Sequence, residues 1–511
     1  MSTTRQTCLF LALALALAAC DGPSAPPDAS IDPGRDAQVE RDAGALAHDA
    51  ARPTSDAGIP GEACPPLELE PGVSVDGFVS DVFTWRDARC LPRSAAMVRN
   101  DVRDPAGSYG GYLRRYTYEA GGVTRTCDGS SARHPGFGYT VNHYGDTASS
   151  SRQASGTWRT LFAGRHHAVH EYTVDQRIDG QTVRVTIQWS FATGRDHPLW
   201  AITYDLTGVP ADAVRADTRS PYGDLQWDGG ADADVSGVGW GDRHRFRSLG
   251  APISLASGWD YTQPNTIPHV IEWATGPDAE MGLVQTQTWS QRDAGGYWFY
   301  GSWGRRDDDG PMPEDWNWTY QLNQYELPFP NGQRSKRMAW GSNYGVVGQR
   351  SYPAYGDDRM LSGWPYLSYA VFVALGRHTD APVQTAITAL ERAQDVSLEA
   401  MLGRVATRGP AGIARTDEAD YDPPGWDPTR AAWTVHADAS RVSLRITAPS
   451  AIEHPLFVVR GWTRDEPSRV TLDGLELAPD RGFYASVDGE RDELWLTLPR
   501  SISGTAALSI E

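Results

Sequence analysis

Cysteine is scarce in this chain, and so are methionine, basic charge and long apolar runs. Five cysteines in 511 residues cannot build a disulfide scaffold, and no Cys/His spacing matches a zinc site. No apolar run is long enough to cross a bilayer as a helix. Lys and Arg number 46 against 65 Asp and Glu, a formal charge of −19, which disfavours nucleic acid and anionic lipid surfaces as partners. The chain also lacks a Gly-x-Ser-x-Gly elbow, a phosphate-binding glycine loop and a dinucleotide fingerprint, which weighs against esterase, kinase and oxidoreductase chemistry.

What is present begins with Arg5 and a short Leu/Ala run, Leu9 to Ala19, of signal-peptide length. It ends in Leu17-Ala18-Ala19-Cys20, which resembles the lipobox of bacterial lipoproteins. The resemblance implies a signal peptide over 1–19, cleavage before Cys20, lipid on that thiol, and a place in the cell envelope, at the outer membrane or cell surface. Residues 20–61 are rich in Pro, Ala, Asp and Gly with few large apolar side chains, the composition of a disordered tether. Cys8 and Cys20 belong to the leader. Cys64, Cys90 and Cys127 remain, enough for one disulfide of unspecified pairing in an oxidising compartment.

The folded body is organised around a hairpin from Val169 to Phe191. Asp179-Gly180 is a strong type I′ turn signal, and it pairs Ile178 with Gln181, Val174 with Val185, Tyr172 with Ile187 and His170 with Trp189 on one face. The other face carries Arg177 with Thr182, Asp175 with Arg184, Thr173 with Thr186 and Glu171 with Gln188. A third alternating run, Trp200 to Leu206, follows Arg195-Asp196-His197-Pro198 and extends the sheet. Cys64 to Asn100 reads as edge strands, and Gly111–Tyr118 with Val123–Cys127 as strands around a Gly-rich turn. Ser220 to Gly241 reads as long loops, and His269–Trp273 with Gly282–Trp289 as a further hairpin. Tyr366–Leu375 is a buried strand, and Ala381–Ala393 a helix with Pro382 in its first turn.

From Ala432 onward short strands recur at regular intervals, separated by turns such as Asp473-Gly474 and Asp488-Gly489, the signature of a small β-sandwich. The expected fold is all-β: a large antiparallel, supersandwich-like domain over 62–410, a connecting segment over 411–430, and a C-terminal sandwich over 431–511. In pattern the C-terminal segment resembles the sandwich modules appended to bacterial glycoside hydrolases and polysaccharide lyases.

Two chemistries compete. Asn142-His143-Tyr144 is similar in composition to the Asn, His, Tyr and Arg sets of β-supersandwich polysaccharide lyases, and the resemblance implies proton abstraction beside a carboxyl group. On a strand, however, Asn142 and Tyr144 share one face and His143 takes the other. His170, beside Trp189, is a second candidate base. The rival is hydrolysis by paired carboxylates, with Glu272 the leading candidate among Glu171, Glu314, Asp315 and Glu326. Trp298, Trp303, Trp316, Trp318 and Tyr320, in an aromatic block, are candidate sugar-stacking platforms. The expectation is a surface lipoprotein that binds and cleaves extracellular polysaccharide, by β-elimination or by hydrolysis. It needs no cofactor or metal and has a polysaccharide or oligosaccharide as partner. A non-catalytic glycan-binding lipoprotein is the alternative. The acidic charge argues against a polyanionic glycan unless arginines such as Arg177, Arg243, Arg245 and Arg247 reverse it locally.

Overall fold

The structure is a computed structural model that describes residues 63–129, 135–145, 147–223, 225–227, 235–241, 245–248, 267, 269–276, 278–287, 342–350 and 364–511. Cys20, the leader, the tether, the aromatic block with Trp298, Trp303, Trp316, Trp318 and Tyr320, and Arg243 lie outside the described residues.

Alternating apolar residues drive two large sheets together. The first has ten strands: from an edge at Glu68–Val75 it runs through Phe78–Arg86, Pro92–Val98, Tyr112–Ala120, Phe137–Tyr144 and Arg215–Gly223 to Ser342–Gly348, with three short strands attached. The second has nine, in the order Arg245–Ser248, Val235–Gly241, His269–Thr275, Asp278–Gln285, Tyr366–Gly376, Leu199–Asp205, Gln181–Ala192, His167–Ile178, Thr157–Ala163. Phe83, Trp85, Leu113 and Tyr116 of the first sheet meet Val174, Ile178, Val185, Trp189 and Trp200 of the second in one core. Each such side chain, fully buried, contributes about 1.5–3 kcal/mol of transfer free energy. The fold is thus an all-β supersandwich, and its central hairpin has the expected register throughout, from Gln181 opposite Ile178 to Trp189 opposite His170.

Behind the second sheet lies a helix, Pro382–Gln394, that buries Val383, Ala386, Ile387 and Leu390. Glu280 fixes its start: Oε1 accepts the N–H of Val383 at 3.0 Å and Oε2 meets Nδ1 of His378 at 2.7 Å. The same apolar cluster continues into the C-terminal strands through Trp433, Leu444, Ile446 and Phe457. Those strands form a five-stranded and a six-stranded sheet, the small sandwich of the expected fold. Pairing is antiparallel except between Ala432–His436 and Leu456–Arg460, which run parallel.

Two expectations need correction. Ser220–Gly241 is not all loop: Arg215–Gly223 reaches into it and Val235–Gly241 is a strand. Its glycines carry no β-propensity, but partners on both sides, Arg245–Ser248 and His269–Thr275, supply its ladder. Within Cys64–Asn100 only Glu68–Val75 is an edge; Phe78–Arg86 and Pro92–Val98 are paired on both sides. Cys64 pairs with Cys90, and Cys127 is buried outside any disulfide.

Candidate functional site

The residues that drew attention in the sequence are dispersed by the pleat. Asn142 is fully buried, on the face of its strand that looks into the sandwich. It lies in a cluster where the Tyr204 hydroxyl meets Thr218 Oγ1 at 2.7 Å and Ser220 Oγ at 2.8 Å. Burial raises the Tyr204 phenol, moderated by Ser220, Thr218, Thr140 and Asn142. Tyr144 packs against the inter-sheet core on the same face. His143 faces the other way, half-buried, and burial with the nearby Arg219 pushes its imidazole down to about 3.

His170 is enclosed between the sheets. Its ring centroid lies 3.7 Å from that of Trp158 and 5.6 Å from that of Phe83, and its nearest polar contact is Thr160 Oγ1 at 3.5 Å. Burial, then Arg99, pushes it down to about 3. Glu272 is also fully buried, on a strand five places from that of His170 in the second sheet, which at ~4.8 Å per strand is roughly 24 Å. No single bond can be reached by Asn142, His143, His170 and Glu272 together. Glu171 is engaged by Arg159 at 2.6 Å and Gln188 at 2.7 Å, as one member of the hairpin's polar face.

His166 and His167 hold the supersandwich to the C-terminal sandwich. His166 Nε2 meets Asp480 Oδ1 at 2.6 Å, and the His167 ring bridges Ser486 Oγ at 3.0 Å and Thr497 Oγ1 at 2.9 Å. Among the described residues no group of three or more His, Cys, Asp or Glu side chains is placed to hold a metal.

Chemistry does converge at this seam. Two loops meet there: 86–92, between the strands Phe78–Arg86 and Pro92–Val98, and 193–198, between Gln181–Ala192 and Leu199–Asp205. Gly194 N donates to Arg86 O at 2.8 Å, Trp85 Nε1 to Arg195 O at 2.9 Å, and Ala88 N to Asp196 Oδ1 at 2.9 Å. Gly194 has φ +90°, and a Cβ there would lie 2.9 Å from Thr497 Cγ2 and 3.2 Å from the Tyr484 ring. Only glycine lets the loop pass that close to the C-terminal sandwich. The Cys64–Cys90 disulfide ties down loop 86–92, and Cys64 N donates to Asp480 O at 2.7 Å across the seam.

Inside, Asp87 Oδ1 accepts the N–H groups of Arg89 and Leu91, both at 2.9 Å, and Oδ2 lies 3.4 Å from Arg93 Nε. Arg93 also donates to the Tyr116 hydroxyl at 3.0 Å and to Leu375 O at 3.1 Å. Tyr116 passes the chain on to Asp196 O at 3.1 Å. The two carboxyls are displaced in opposite directions. Burial, then the neighbouring Asp196, raises Asp87. Burial would raise Asp196 too, but Arg93, His197 and the Ala88 N–H hold it at about 2. Burial and Arg93 push the half-buried His197 down to about 4, and burial pushes Tyr116 up to about 12. The cluster sets side by side a carboxyl raised by burial, a carboxyl held low and an imidazole held low, a divergence of proton affinities of the kind acid–base chemistry uses.

No protein-family model matches the chain, and no curated protein matches it in sequence.

In the sequence Arg195-Asp196-His197-Pro198 stands out only as the stretch that precedes the third alternating run. Nothing local joins it to Ala88, 108 residues from Asp196, because that contact exists only once the two sheets stack.

Proposed function

We propose that the protein is a lipid-anchored surface enzyme that binds and cleaves extracellular polysaccharide, with the seam between loops 86–92 and 193–198 as its site. The observation that carries this reading is the carboxyl pair Asp87 and Asp196, brought to one seam with Arg93 and shifted in opposite directions, Asp87 up by burial and Asp196 down by its cationic neighbours. Such a pair suits glycosidic hydrolysis, in which one carboxyl donates a proton to the leaving oxygen and the other acts as carboxylate. Its place beside a second module also supports the reading, since ligand sites favour domain junctions. His197 favours a second reading, β-elimination, since a half-exposed imidazole held neutral can accept a proton.

The test is incubation of the protein with neutral and acidic polysaccharides, followed by mass spectrometry. Saturated fragments carrying one added water are expected, with Asp196→Asn lowering the rate by roughly 10²–10⁴-fold. Unsaturated fragments, abolished by His197→Gln, would move the assignment to a lyase. Retardation by glycans without cleavage would leave a binding protein, and neither effect across the panel would overturn the reading. The anchor has its own check: Cys20→Ser should move the protein from the detergent phase to the aqueous phase on Triton X-114 partition, and unchanged partition would remove the lipid from the account.

A further inference from the structure

Arg195 is a member of the seam cluster whose charge meets no opposite charge among the described residues. Its guanidinium donates to Ala431 O at 2.6 Å and lies 5.8 Å from the Phe372 ring centre, and it makes no ion pair with the described residues. A guanidinium has five N–H donors in a fixed fork, so most of this one is unused. The residue is half-buried, and burial, with no carboxylate to offset it, pushes it down to about 10. A desolvated cation without a partner is costly, and the cost falls when an anion arrives.

The surroundings have the same sign. Arg86 and Arg89, in the adjoining loop, also form no ion pair with the described residues, and Arg86 Nε is buried without a hydrogen-bond partner. The two loops and the start of the next strand therefore carry four guanidiniums, Arg86, Arg89, Arg93 and Arg195, against the carboxyls of Asp87 and Asp196. One of those carboxyls is held toward its neutral form. This is a local excess of positive charge on a chain of net charge −19. A patch of opposite sign to the whole molecule concentrates anions where it lies.

We propose that the seam carries an oxyanion site anchored by Arg195, and that the glycan it takes bears carboxylate or sulfate groups. The second half rests on the polysaccharide reading; the first does not. A planar carboxylate or a sulfate ester would accept two parallel N–H bonds from the fork, with Phe372 fixing the plane from behind. The overall acidity, which argues against a polyanionic ligand, is reversed here by arginines other than those the sequence suggested.

The experiment is calorimetric titration of the detergent-solubilised full chain with glucuronate, glucose 6-sulfate, inorganic sulfate and glucose. Binding of at least one anion and none of glucose is expected; the glucuronate and sulfate arms then say which group is read. Arg195→Gln should weaken anion binding at least tenfold, and Arg195→Lys, which keeps the charge but loses the fork, should weaken it less. Arg195→Gln should also leave the thermal midpoint unchanged or higher, because it removes an unpaired charge, whereas a structural arginine would lower it. Equal binding of glucose and the anions, or anion binding unchanged in Arg195→Gln, would overturn the proposal. If Arg195→Gln fails to fold, anion discrimination by the unmodified chain and the Arg195→Lys titration still decide it. Anion binding without cleavage of any glycan would keep this site and remove only the enzymatic reading.

Discussion

At the scale of single residues, the central pleat decides what each candidate can do. Gly138, with φ +108°, sits where the strand Phe137–Tyr144 changes the parity of its faces: Phe137 points into the sandwich, and Tyr139 into a separate cluster with Tyr112 and Tyr222. The carbonyl of Gly138 accepts from the Tyr172 hydroxyl at 3.1 Å and from Trp200 Nε1 at 3.0 Å. A Cβ on it would lie 2.4 Å from Trp189. Gly180, in the hairpin turn, also has positive φ, but a Cβ there meets nothing within 4 Å. Gly180→Ala should therefore cost only the left-handed backbone, about 1 kcal/mol. Gly138→Ala should add overpacking and cost about 3 kcal/mol or more. Urea denaturation of the two variants separates the contributions, and equal midpoints would mean that Trp189 has room to move.

At the scale of elements, legibility followed sequence distance. The hairpin could be read because its turn, its β-branched runs and its two faces all lie within one short stretch and agree with one another. The helix was legible for the same reason: Pro382 opens it and Val383, Ile387 and Leu390 repeat at its period. Val235–Gly241 was not, because its glycines make a strand only when neighbours impose one. The alternation rule also foresaw that His143 would part from Asn142 and Tyr144. It gave no means of seeing that Asp87, Arg93 and Tyr116 would meet Asp196. Those residues come from four elements, and although Arg93 and Tyr116 share the first sheet, the bonds that bring in Asp196, from Ala88 N and from the Tyr116 hydroxyl, cross from one sheet to a loop of the other.

At the scale of the whole molecule, buried imidazoles set how the fold responds to acid. His167 and His170 are fully enclosed and held below the ordinary imidazole value, first by burial. In the unfolded chain they titrate near 6.5. Below that pH the unfolded state binds protons that the folded state refuses, so stability present above 6.5 is lost as the pH falls. Each of these two can contribute up to about 1.4 kcal/mol per pH unit. His143, His166 and His197 are shifted in the same direction, all primarily by burial. Asp87 and Glu280, raised by burial, oppose them, since the folded chain protonates first at those groups. Asp196, Asp480 and Glu493 are lowered and lose their contribution only below about pH 4. His436 is lowered too, so between pH 6.5 and 4.5 six imidazoles among the described residues act against two carboxyls, and the net effect of acid is destabilising. The urea midpoint should fall steadily from pH 7 to pH 5. Because His166 and His167 are gripped by Asp480, Ser486 and Thr497, hydrogen exchange should show the seam opening before the central hairpin does. A flat or rising midpoint over that range would mean that water reaches these imidazoles and that the C-terminal sandwich does not seal them.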